Sequence, residues 1–193
     1  FEQGLYGSSE MFVNGFLELY KQGILRRKVY GDVTLQRLLN EGKITEAVTP
    51  ALLEALVVHE AVHPQLSPAD VAYLQKFGVL RDDVKLVDHH LHTADGLAIE
   101  ADLADDAALR QINMHFLGRP LKGGILMHGG FFLGPRSFYD ALNAMSEEQN
   151  KLIGMTTVDN VNHLYGNQVL KALQRKDGRF INTCLMVTLS GGI

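Results

Sequence analysis

The stretch Gly124-Ile125-Leu126-Met127-His128-Gly129-Gly130-Phe131-Phe132-Leu133-Gly134-Pro135-Arg136 decides how the chain reads. A short apolar run bounded by glycines predicts a buried strand over residues 124–129. The Gly134-Pro135 pair that follows predicts a helix opening there and running through Met145. Downstream, residues 155–158 read as extended, 167–175 as helix and 179–189 as a buried strand. Strands alternating with helices through short links predict a mostly parallel sheet covered by helices, an α/β fold.

Upstream, residues 5–25 predict a strand end, a cap at Ser8 or Ser9, and a helix. Phe12, Phe16, Leu19 and Tyr20 make its apolar stripe, and Gly23 ends it. On that reading Glu10 sits in the first helical turn, where unpaired amides and the helix dipole favour a carboxylate.

Residues 30–82 read as compact and helical, with pieces at 33–40 and 49–62. A third helix is opened by Ser67-Pro68-Ala69-Asp70 and closed at Gly78, the opening combining a cap, a proline at the first helical position and an acid three residues after the cap. Residues 84–87 and 97–103 are strand candidates around the turn Asp95-Gly96, and 105–116 returns to helix.

The chain has 193 residues, 46% hydrophobic and 21% charged, enough to bury a core and far from a disordered or collagen-like composition. A net charge of −4 without a basic run speaks against nucleic acid and against a polybasic membrane surface. No apolar stretch approaches the roughly 18 residues of a membrane helix. A single cysteine, Cys184, makes no internal disulfide, which favours a reducing compartment, so the cytoplasm is the expected location. The start at Phe1 and the finish at Ser190-Gly191-Gly192-Ile193, directly after an apolar run, lead us to expect a fragment of a longer chain.

Three patterns carry chemistry. His59-Glu60-Ala61-Val62-His63 is a literal H-E-x-x-H, which on a helix places two imidazoles on one face to hold zinc while the glutamate activates water. Pro64 directly after it predicts that the helix stops too early, and no third ligand follows at the spacing of the extended motif. The nearby Asp88-His89-His90-Leu91-His92 is a remote source of ligands. His128 beside Gly129-Gly130 is a strand end where backbone could approach a ligand. Glu10 is the third: an ionised carboxylate at a strand-to-helix junction is the group covalent catalysis by glutamate needs.

Tyr6-Gly7-Ser8-Ser9-Glu10-Met11-Phe12-Val13-Asn14-Gly15 resembles the segment around the catalytic glutamate of the acetyl-CoA hydrolase/transferase family, which includes 4-hydroxybutyrate CoA-transferases. Gly130-Phe131-Phe132-Leu133-Gly134-Pro135-Arg136-Ser137-Phe138-Tyr139 resembles that family's glycine-bounded turn. Val158-Asp159-Asn160-Val161-Asn162-His163 and Phe180-Ile181-Asn182-Thr183-Cys184-Leu185-Met186-Val187 resemble its Asn-His and Ile-Asn strand signatures.

The resemblance implies a NagB/RpiA/CoA-transferase type of fold divided into 1–29, a helical insertion over 30–118, and 119–193. It implies Glu10 as nucleophile in acyl-CoA:carboxylate transfer or acyl-CoA hydrolysis, with Asn14, Gly129 and Gly130 shaping the pocket and Asn162 and His163 as weaker substrate-binding assignments. Arg136 at the helix start reads as a surface cation. Coenzyme A enters as a thioester substrate, with no separate cofactor and no resident metal; the partners are an acyl-CoA and a carboxylate. Dimers are common in that family.

The sequence departs from the family at Asn14, where aspartate is usual, and at Ser8, where histidine is frequent. Met186 and Thr188 stand where glutamine and aspartate are often found. The resemblance leads us to expect the family's Ser-Gly-x-Gly-Gly region just downstream of Ile193, so little turnover is expected of these residues in isolation. A zinc-dependent hydrolase built on His59, Glu60 and His63 is one alternative, and a non-catalytic binding module the other.

Overall fold

A computed structural model describes residues 2–181 together with 189–190. The elements in order are β1 (Gly7–Phe12), α1 (Asn14–Lys21), α2 (Val33–Asn40), α3 (Pro50–Val58), α4 (Pro68–Lys76), β2 (Lys85–Val87), β3 (His90–His92) and β4 (Ala98–Glu100). They continue with α5 (Asp106–His115), β5 (Met127–Phe132), α6 (Arg136–Asn143), α7 (Glu147–Asn150), β6 (Ile153–Met155), α8 (Val158–Asn162) and α9 (Gln168–Gln174).

The protein is mixed α/β. Strands β1, β5 and β6 form a parallel sheet in that order, with Gly7 opposite Met127 and His128 opposite Gly154. A second, antiparallel sheet joins β2, β3 and β4. Most of the strand expected over 179–189, and with it Asn182, Cys184, Met186 and Thr188, lies outside the described residues. Residues 179–181 are neither helix nor strand, and Phe180 and Ile181 are exposed. Among the described residues no helix is long and apolar enough to cross a membrane.

Two sequence expectations fail at the amino-terminal end. Residues 8–12 are strand, so Glu10 lies on β1 and not in a first helical turn. Helix α1 starts at Asn14 from Val13, which has no side-chain cap. Pairing of Met11 and Phe12 with Phe131 and Phe132 extends the strand past the two serines, a tertiary preference that outweighs their value as caps.

The helices between residues 30 and 121 begin where the sequence places caps. The Asp32 carboxylate accepts from the Leu35 amide at 2.8 Å, and Asp105 accepts from Ala107 and Ala108 at 2.6 and 2.9 Å. Ser67 and Asp70 make a reciprocal capping box at α4. These helices and the small sheet bury one apolar cluster that includes Leu35, Leu56, Leu74, Leu91, Ile112 and Phe116. A separate cluster of Phe12, Leu17, Met127 and Phe138 lies against the parallel sheet. Val29 and Ile125 exchange two backbone hydrogen bonds, of 2.8 and 2.9 Å, where the chain leaves for the helical segment and returns from it.

The small sheet contains a strand the sequence did not announce. Asp88 and His89 take positive φ of 47° and 62°, and Val87 pairs with His90, so the two residues make a tight hairpin turn without glycine.

Candidate functional site

Two packed elements bring the carboxyl-terminal halves of β1 and β5 under α8. In an open parallel sheet this end of the strands is where ligand crevices form. Glu10 sits in the second half of β1 with its side chain in solvent, and the Asn162 amide donates from Nδ2 to Glu10 Oε2 at 3.0 Å. The pair is drawn from the two ends of the chain. The amide orients one carboxylate oxygen and leaves the other to water or a ligand. The helix-start surroundings expected for Glu10 are absent, because its position is on a strand.

Gly130 serves packing. A β-carbon there would stand 2.8 Å from Val158 Cγ2 and 3.0 Å from the Glu10 carbonyl oxygen, so only glycine lets α8 settle onto β5 beside Glu10. Gly129 is less constrained: its nearest neighbour, the Phe12 β-carbon, would be 3.5 Å away, an ordinary contact, and its carbonyl accepts from the Thr156 amide at 2.9 Å.

Asn14 opens α1 with an exposed side chain, four residues beyond Glu10, and no hydrogen bond ties it to Glu10 or Asn162. His163 closes α8 with its ring exposed, and its contribution is its carbonyl. The Asn-His segment is thus a helix end and not a strand. Arg136 is exposed at the start of α6, as a surface cation would be. Of the six expected site residues, the fold brings Glu10, Asn162 and Gly130 together, places Gly129 beside them on β5, and leaves Asn14 and His163 at the margins.

Beneath α8 and α9 lies a polar group that the sequence marked only in part. His128 Nδ1 is 2.7 Å from the Tyr6 hydroxyl, and the two rings meet edge to face. Burial, and after it the Arg175 guanidinium, push the His128 imidazole below its usual value. Burial raises the Tyr6 phenol against smaller opposing pulls from Ser8, Arg175 and Arg27. Both rings are therefore neutral at neutral pH, and the imidazole tautomer sets which of the two donates. Gly154 makes room for the imidazole, since a β-carbon there would lie 2.6 Å from His128 Cδ2. Only the glycines beside His128 flagged this site; no local pattern links it to Tyr6, 122 residues away.

Residues His59, Glu60 and His63 do not share a helical face. Helix α3 stops at Val58, His59 is its C-cap, and Glu60 turns the chain with φ of 56°. The stop comes even earlier than Pro64 requires. His63 Nδ1 instead faces the Asp70 carboxylate at 3.2 Å from both oxygens. Burial works against the charged form of Asp70, but hydrogen bonds from Ser67 and His63 outweigh it and hold the carboxyl below its usual range. His90 Nδ1 lies 2.7 Å from the Asp88 carbonyl. Among the described residues no group of three or more His, Cys, Asp or Glu is arranged to hold a metal ion.

Two concavities lie away from Glu10. One is apolar and runs between α1 and β6 past Phe16, Tyr20, Leu126, Met145 and Ile153. The other is polar, lined by Arg26, Arg27, Lys28, Gln36, Asn40 and Glu46, and its Lys28 is already paired with Glu46 at 2.7 Å. No family model, curated protein or solved structure gives a match to this chain.

Proposed function

We propose that the protein exchanges acyl groups between a coenzyme A thioester and a carboxylate or water, with Glu10 as the nucleophile. The observation that carries this reading is the Asn162 to Glu10 hydrogen bond of 3.0 Å, made in solvent at the carboxyl-terminal half of a parallel strand. A surface carboxylate held by one neutral donor at one oxygen leaves its other oxygen within reach of a substrate. Its sequence setting, Ser8-Ser9-Glu10-Met11, resembles that of the catalytic glutamate in CoA-transferases, and the exposed pair is what such a glutamate needs.

In this reading a Glu10 carboxylate oxygen attacks the thioester carbonyl, and CoA thiolate leaves as the acyl-glutamyl anhydride forms. The thiolate then attacks the glutamyl carbonyl and expels the acyl group as a free carboxylate. Glu10 is left as a CoA thioester. An incoming carboxylate reverses these steps; water instead regenerates Glu10 and free CoA. Each tetrahedral intermediate carries negative charge, and the Asn162 amide is the nearest side-chain donor. A cytoplasmic location and assembly as a dimer belong to the same reading.

Borohydride reduction tests it. After incubation with an acyl-CoA, reduction is expected to convert Glu10 to the corresponding alcohol, seen by mass in its peptide and nowhere else. Protein that binds acyl-CoA yet gives no reducible adduct at Glu10 would remove the proposed nucleophile.

A further inference from the structure

Lys171 is buried to 7% exposure, yet it forms no ion pair among the described residues. Burying an ammonium without a carboxylate is costly unless strong acceptors surround it. Its acceptors are backbone carbonyls at the end of α8: Nζ donates to His163 O at 2.6 Å and reaches Tyr165 O at 3.5 Å. One turn further on, at the C-cap of α9, Arg175 Nη2 donates to Val161 O at 2.7 Å.

A five-residue helix has little stability of its own, and its last carbonyls lack partners within the helix. Two cations from α9 supply them, through charge-assisted bonds of the stronger kind. Asn162, the residue that touches Glu10, lies between the two clamped carbonyls of Val161 and His163.

The far side of α9 is tied to the helical segment. Gln174 Nε2 donates to Tyr30 O at 2.9 Å, Asn40 Nδ2 to Leu173 O at 2.8 Å, and Lys176 Nζ to Asn40 O at 2.8 Å. An unbroken series of hydrogen bonds therefore runs from α2 through α9 and α8 to Glu10.

We infer that Lys171 and Arg175 are positioning residues, and that α9 is a strut by which the segment 30–121 sets the placement of Asn162 against Glu10. The consequence for acyl exchange rests on the function proposed above; the mechanical claim does not.

The test uses Lys171→Met, which keeps the length of the side chain and removes its donors, with Lys171→Arg for rescue and Lys151→Met as an exposed control. In nuclear magnetic resonance, Lys171→Met is expected to shift the Asn162 side-chain amide and to speed exchange of the Val161 and His163 amides, with β5 still protected. In the borohydride assay the rate of Glu10 thioester formation at saturating acyl-CoA should fall by about tenfold or more, with half-saturation moved less than about twofold.

Lys171→Arg should recover most of both effects, and Lys171→Met added to Asn162→Ala should slow the reaction no further than Asn162→Ala alone. An Asn162 amide and α8 protection unchanged in Lys171→Met would overturn the proposal, as would additive losses in the double variant. Should Lys171→Met fail to fold, Arg175→Met, at the less buried end of the clamp, carries the same expectations. If the wild-type protein forms no thioester, acyl exchange falls, and the resonance measurements alone decide for or against the strut.

Discussion

Asn162 and Glu10 are 152 residues apart in the chain and joined by one hydrogen bond, so substitutions at Asn162 separate orientation from charge. In the acyl exchange proposed above, Asn162→Ala removes the donor and is expected to slow thioester formation at Glu10 between about ten- and a hundredfold. Asn162→Asp places a second carboxylate against the first and should be slower still; equal rates for wild type and Asn162→Asp would show that the contact does not serve the chemistry. His128 gives a separate, pH-linked prediction. Its folded imidazole takes up a proton less readily than the free value of 6.5. As pH falls through about 6.5 toward the folded value, the unfolded chain is protonated first, and stability present at higher pH is lost. Each tenfold difference in proton affinity between the two states is worth about 1.4 kcal/mol. Urea midpoints measured from pH 7.5 to 5.5 should fall in the wild type and fall less in His128→Asn. Parallel slopes for the two proteins would assign the acid sensitivity to other groups.

At the scale of elements, α8 sits on the strand pair β1–β5 only because position 130 has no side chain, and the neighbouring glycine is a built-in control. Gly130→Ala would drive a methyl against Val158 and the Glu10 carbonyl and must displace α8. It is expected to cost about 1–3 kcal/mol of stability and to weaken the Asn162 contact. Gly129→Ala meets only an ordinary contact and should be tolerated to within about 1 kcal/mol. Thermal melts of the two variants provide the comparison, and similar losses would contradict the packing argument. The cap that begins α4 was legible in Ser67-Pro68-Ala69-Asp70, and the structure adds caps of the same short-range kind at Asp32, Thr49 and Asp105, each a polar side chain bonded to amides two or three residues on. Where pairing across the sheet decides, local signals mislead: Ser8 and Ser9 look like caps but belong to a strand, and Asp88-His89 turns a hairpin that glycine would have advertised. Glu10 and Asn162 were singled out by a resemblance, with a first-turn position and a strand signature as their settings; Glu10 lies instead on a strand and Asn162 at a helix end, and packing of α8 on the sheet brings the two together. Lys171 and Arg175 were legible only as an i, i+4 pair on one helix, with nothing in the sequence to say that both face carbonyls.

At the scale of the whole molecule, the described residues form two apolar clusters with few bonds between them, so cooperativity depends on what crosses the boundary. The Val29–Ile125 backbone pair is one crossing, and the bonds from α9 to Tyr30 and Asn40 are another. The Gln174 bond is buried, and leaving the Tyr30 carbonyl unpaired there costs about 1–3 kcal/mol. Leu74, fully buried in the first cluster and distant from the sheet, supplies a second handle: Leu74→Ala should cost about 2–5 kcal/mol and act on the segment 30–121 alone if the clusters were independent. With the crossings intact the wild type and Leu74→Ala should each unfold in one transition, with amides of β5 and of α4 losing protection together. Adding Gln174→Ala, Asn40→Ala and Lys176→Met to Leu74→Ala removes the side-chain bonds between α9 and the helical segment, and the α4 amides should then lose protection at lower denaturant than those of β5. Hydrogen exchange across a denaturant series reads both elements in one experiment. A quadruple variant that still unfolds as one unit would mean that the Val29–Ile125 pair and the packing around it suffice to couple the clusters, and that these α9 bonds carry position without carrying stability.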